Sequence, residues 1–139
     1  MRNTLYGYGS GTRITSGDNN THFGYNAGAH TTTNNGTTYI GTNAGEDATG
    51  GSNTAVGFEA LTSNTTGIRN TALGRKALGS VTTGLQNTAV GQSALFNNAA
   101  NNNTAVGHDA LVSNTTGTEN TSVGSISLDA NTTGTENTA

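Results

Sequence analysis

The chain has 139 residues, of which 30% are hydrophobic and 9% charged, with a formal net charge of −3, 21 Gly, and neither Pro nor Cys. That apolar content is too low for one large globular core. The weak negative charge argues against a nucleic-acid surface, and the lack of Cys excludes a disulfide framework or a thiolate metal site. No apolar run approaches a membrane span, and none follows Arg2 as a signal sequence would require.

Order must therefore come from backbone hydrogen bonds and a thin core repeated many times. Segments resembling Asn-Thr-Ala-Val-Gly begin at Asn3, Asn20, Thr37, Asn53, Asn70, Asn87, Asn103 and Asn120, with a partial unit at Asn137. Their spacing is 17 residues, shortened to 16 after Thr37 and after Asn87. Residues 3–139 read as a single array preceded by two leader residues. The fullest units, such as Asn53–Arg69, follow N-T-A-V-G-x-x-A-L-x-S-N-T-T-G-x-x. A fixed period of this length is the mark of a stacked repeat.

Along each unit, positions 2–4 predict a short strand, because Thr and Val favour extended backbone. The Gly at position 5 (Gly7, Gly24, Gly41, Gly57, Gly74, Gly91, Gly107, Gly124) opens a turn. A second short strand is expected near positions 7–10, and Asn-Thr-Thr-Gly forms a corner. A helix is disfavoured, since no apolar 3.6-residue period persists. The fold class is all-β: a β-solenoid or β-roll of 17-residue coils, stacked about 4.8 Å apart.

Strand alternation places positions 2 and 4 on one face and position 3 on the other. Position 4 is apolar throughout (Tyr6, Phe23, Ile40, Val56, Leu73, Val90, Val106, Val123), so it is expected to face the core. Position 2, with Thr54, Thr71, Thr88 and Thr104 among its members, is then inward too. Positions 3 and 9 exchange volume. The first three units pair Leu5, His22 and Tyr39 with Gly11, Gly28 and Gly45. The last five pair Ala55, Ala72, Ala89, Ala105 and Ser122 with Leu61, Leu78, Leu95, Leu111 and Leu128. Close packing implies that the two positions touch, within a chain or between chains, although two ancestral repeat types in tandem would give the same pattern. The outward Leu stripe is the candidate subunit interface.

The array resembles repeats of bacteriophage tail fibres and, less closely, the heads of trimeric autotransporter adhesins. The units from Asn20 and Asn53 look like two subtypes of that repeat. The resemblance covers nearly the whole chain and implies a homotrimer of parallel chains, each a left-handed β-roll, at a virion or bacterial cell surface.

No catalytic constellation is present, no cofactor or metal is implied, and the chain is read as a non-enzyme. His22, His30 and His108 lie in different units, no G-x-S-x-G elbow occurs, and Glu46-Asp47 is too small for a calcium loop. The first functional expectation is a structural and adhesive fibre segment. Its partners are copies of itself and a cell-surface glycan or protein receptor, without nucleic acid or membrane insertion. Tyr8, Tyr25 and Phe58 at position 6 are candidate receptor contacts, as an aromatic strip on variable turns. The alternative is an ice-binding solenoid. That requires an outward Thr array, which the inward assignment of position 2 denies. A disordered or amyloid-like segment is the third reading.

Overall fold

The computed structural model describes all 139 residues. It is all-β, a solenoid without helices. Its strands are β1 (Thr4–Tyr6), β2 (Thr21–Phe23), β3 (Thr38–Ile40), β4 (Thr54–Val56), β5 (Thr71–Leu73), β6 (Thr88–Val90), β7 (Thr104–Val106) and β8 (Thr121–Val123). They form one parallel sheet in sequence order. The register is strict: Thr pairs with Thr at every step from Thr4↔Thr21 to Thr104↔Thr121, and Thr138 extends the ladder as an isolated bridge.

Each coil carries one strand rather than two. Positions 7–10 form a tight turn, because the residues at positions 7 and 9 have positive φ, for example Glu59 at 53° and Leu61 at 53°. Such angles cannot continue an extended strand. A third left-handed residue closes each unit at its last position, as at Arg69 with φ 59°. The turns still bond from coil to coil: Leu61 N–H donates to Ala77 C=O at 3.0 Å and Lys76 N–H to Phe58 C=O at 2.9 Å. Only 14 of 88 backbone hydrogen bonds lie within strands, and many of the others join the turns of successive coils.

Alternation along the strand holds, but its phase is the reverse of that expected. The position-3 residues His22, Tyr39, Ala55, Ala72, Ala89, Ala105 and Ser122 are all fully buried. Those at position 4 face outward: Tyr6 is 66% exposed, Phe23 52%, Leu73 47% and Val123 61%, with Ile40 and Val106 also exposed and Val56 and Val90 half-buried. The position-2 threonines, Thr54, Thr71, Thr88 and Thr104 among them, are exposed or half-buried beside them. The core is instead built from position 3, the Ala at position 8 and the Leu at position 9. Leu61, Leu78, Leu95 and Leu111 are fully buried, and Leu128 is partly buried against the same cluster. These leucines are therefore not a subunit interface. The reason is volume: the space between positions 3 and 9 takes a single large side chain, and Leu at position 9 already fills it opposite Ala at position 3.

The leucines hold φ of 50–53°. A left-handed L-residue costs about 1–2 kcal/mol, which burying a Leu side chain, at about 1.5–3 kcal/mol, offsets. At position 5 only Gly fits. All eight glycines have φ between 125° and 142°. A Cβ on any of the first seven would lie 2.2–2.6 Å from the carbonyl oxygen of the matching Gly in the next coil.

A rail of buried asparagines runs along position 1, where the sequence reading expects only turn formers. Each closes its own coil and binds the next. Asn70 Nδ2 donates to Gly84 C=O at 2.7 Å, while its Oδ1 accepts from Asn87 N–H at 2.9 Å. The pattern recurs at Asn53, Asn87, Asn103 and Asn120. A shorter rail runs along the corner, with Asn114 Nδ2 donating to Asn98 Oδ1 at 2.7 Å. Asn was read as a turn former; its recurrence immediately before every strand but one was the signal for a buried clip.

Candidate functional site

Two outward features distinguish this rod from a bare scaffold. The first is the strand face, where Thr at position 2 and an apolar residue at position 4 recur in register over all eight coils. Every Lys, Arg, Asp and Glu lies outside the strands. The face is thus uncharged along its whole length, while the turns carry the charge. At its N-terminal end Tyr6 and Phe23 stack, with ring centroids 4.7 Å apart and planes inclined by 13°.

The second feature is the column of position-6 side chains, Tyr8, Tyr25, Thr42, Phe58, Arg75, Gln92, His108 and Ser125. Tyr8 and Tyr25 stack at 5.6 Å with planes 12° apart. The Arg75 guanidinium lies over the Phe58 ring, 5.8 Å from its centroid. The expected strip of Tyr8, Tyr25 and Phe58 is therefore discontinuous. Two rings cover each other, and Phe58 stands beyond the small Thr42.

Electrostatics on the turns is local. Lys76 pairs with Glu59 at 3.4 Å, His30 with Asp47 at 2.5 Å and His108 with Asp109 at 3.3 Å. Hydrogen bonds from Arg2 hold the Asp18 carboxyl well below the usual carboxylate range. Inside, His22 stacks on Tyr39 with centroids 4.8 Å apart. Burial lowers the His22 pKa to about 4, which leaves the ring neutral. Its Nε2 is 2.9 Å from Thr37 Oγ1, which itself donates to Asn20 Oδ1, so Nε2 carries the proton, and Nδ1 has no partner. Burial raises the Tyr39 phenol pKa. Its hydroxyl lies near Asn34, Asn53 and Thr37 but makes no well-formed hydrogen bond with them.

No three His, Asp or Glu side chains gather in a metal-binding cluster, and the molecule encloses no pocket. What the arrangement offers is surface: an uncharged ladder and an interrupted aromatic column. Compared with family models, curated proteins and solved structures, the chain finds no match.

Proposed function

We propose that this chain is a non-catalytic structural and adhesive fibre segment, a shaft or head of a phage tail fibre or bacterial surface adhesin. Three parallel copies with left-handed coils pack together outside the cell and present a receptor contact on their turns. The observation that carries this reading is the strand face. A long exposed apolar surface calls for a partner, and this one repeats at one spacing with no charge to repel a like copy. A second rod of the same period meets it at every coil, whereas a partner of another period falls out of step. Light scattering during size-exclusion chromatography tests the proposal. A mass of three chains is expected, and a single-chain mass at all concentrations would sink it.

The same face supports ice binding as a second reading. The threonines that this function needs outward are outward, paired Thr to Thr through the sheet. Ice recrystallisation inhibition by a single-chain species would favour it. A trimer without such activity would remove it.

A further inference from the structure

We propose that the notch over Thr42, between the rings of Tyr25 and Phe58, is a stacking site for one pyranose ring of a surface glycan. The inference rests on the adhesive reading above and names the chemistry of its receptor.

The column of position-6 residues runs along the rod, one per coil. Tyr8 covers one face of Tyr25, and Arg75, from the following coil, covers one face of Phe58. With Tyr8 in the coil before Tyr25 and Arg75 in the coil after Phe58, the faces left for a ligand are those on the side of the coil between them, where the side chain is only Thr42. Tyr25 is 51% exposed and Phe58 44%. Two coil-to-coil steps separate the rings, which places them about 9.6 Å apart at the usual strand spacing. Thr42 between them is exposed as well.

That width selects the ligand. A flat ring touching both walls would need them about 7–8 Å apart, from carbon contacts of about 3.5–4.0 Å. A puckered pyranose carries C–H bonds on both faces and is thicker, so it fills the remaining space. Its C–H groups meet the electron-rich ring faces, while its hydroxyls point around the rim. There the chain offers the hydroxyl of the exposed Thr42. The stacked pair Tyr6 and Phe23 offers no such space, because their rings already cover each other.

The test uses the full chain and methyl pyranosides of glucose, galactose, mannose and N-acetylglucosamine, followed by saturation-transfer NMR and by the ring-proton shifts of Tyr25 and Phe58. At least one pyranoside is expected to bind and to move both sets of ring protons. Thr42→Tyr fills the notch with a residue that position 6 already accepts at Tyr8 and Tyr25. It is expected to weaken binding at least tenfold with an unchanged melting temperature and unchanged mass. Phe58→Ala is expected to do the same, and Gln92→Ala to have no effect. Absence of binding by all four pyranosides, binding that T42Y leaves intact, or shifts confined to Tyr6 and Phe23 would overturn the proposal. Solution mass separates the two readings: a trimer that binds no pyranoside removes the site alone, and a single chain that binds one removes the assembly alone.

Discussion

A Cβ placed on Gly28 would lie 2.4 Å from Cε1 of His22, so the glycine is the space into which the imidazole packs. The same holds one coil on, where a Cβ on Gly45 would meet the Tyr39 ring at 2.7 Å, and one coil back, where Gly11 faces Leu5 at 2.8 Å. The exchange of volume between positions 3 and 9 is thus a contact within one chain. The space between positions 3 and 9 holds one large side chain, and the repeat supplies it from either wall.

This contact predicts strong coupling between the two positions. Gly45→Leu alone should overpack the coil at about 1–3 kcal/mol, with the left-handed backbone adding about 1–2 kcal/mol. Tyr39→Ala alone should leave a cavity and cost about 3–5 kcal/mol. The double variant recreates the Ala–Leu pair of Ala55 and Leu61 and should recover most of the loss. Urea melts of the four proteins measure it; simple additivity would show that the side chains do not share one space.

The asparagine rail predicts a loss that its polar character would not suggest. Asn87→Ala removes the acceptor for Asn103 N–H and the donor to Ala100 C=O. Ala100 C=O keeps the bond from Asn98 Nδ2 at 2.9 Å, so the orphaned group is Asn103 N–H, at about 1–3 kcal/mol. Asn97→Ala, at an exposed site bonded only to Val112 C=O, should change stability by less than about 0.5 kcal/mol. Equal denaturation midpoints for the two variants would rule out the clip.

How far the fold was legible follows from these residues. The period, the strand at positions 2–4, the turn at the invariant Gly and the 3–9 exchange all rest on pattern, and stacking preserves pattern. The phase of the strand does not. Val56 is more apolar than Ala55, yet Ala55 is inside, because Leu61 fills the space beside it. Tolerance was the better guide: position 4 accepts Tyr, Phe, Ile, Leu and Val, as an outward site can, whereas position 3 changes size only when position 9 compensates. The second strand failed for a backbone reason, since left-handed Leu and Glu are costly enough that no propensity argument anticipates them. At the candidate site, Tyr8, Tyr25 and Phe58 were legible as an exposed column, but the break at Thr42 acquires meaning only once the coils are stacked.

Acid should loosen the second coil through His22. Its pKa is about 4 in the fold, against 6.5 for the free side chain. Between those values the unfolded chain binds more protons, so stability falls as pH drops through this window and is fully retained above 6.5. The loss is bounded by about 3.5 kcal/mol, at about 1.4 kcal/mol per pKa unit. His22→Tyr copies the Tyr39 coil and should flatten the dependence between pH 6.5 and 4. Asp18 titrates in a lower window: its depressed pKa stabilises the fold above the ordinary carboxylate range and is lost as pH falls through its folded value. Melting temperatures across pH for both proteins decide the matter; parallel curves would place the acid-sensitive group elsewhere.

The reversed faces make the most direct prediction, because two leucines five residues apart should behave oppositely. Leu73 stands on the strand face, 47% exposed, and Leu78 is fully buried in the turn core. Leu78→Asp puts an unpaired carboxylate into an apolar interior without a partner, a change of about 4 kcal/mol or more, and should abolish the β circular-dichroism signal. Leu73→Asp places the same charge in water, and the signal should persist. If the strand face is where copies meet, the carboxylate is then buried between chains, so Leu73→Asp should also reduce the solution mass to one chain. Loss of the β signal in both variants would return position 4 to the interior. A persistent signal together with an unchanged trimeric mass would keep the corrected faces and move the interface to the turns.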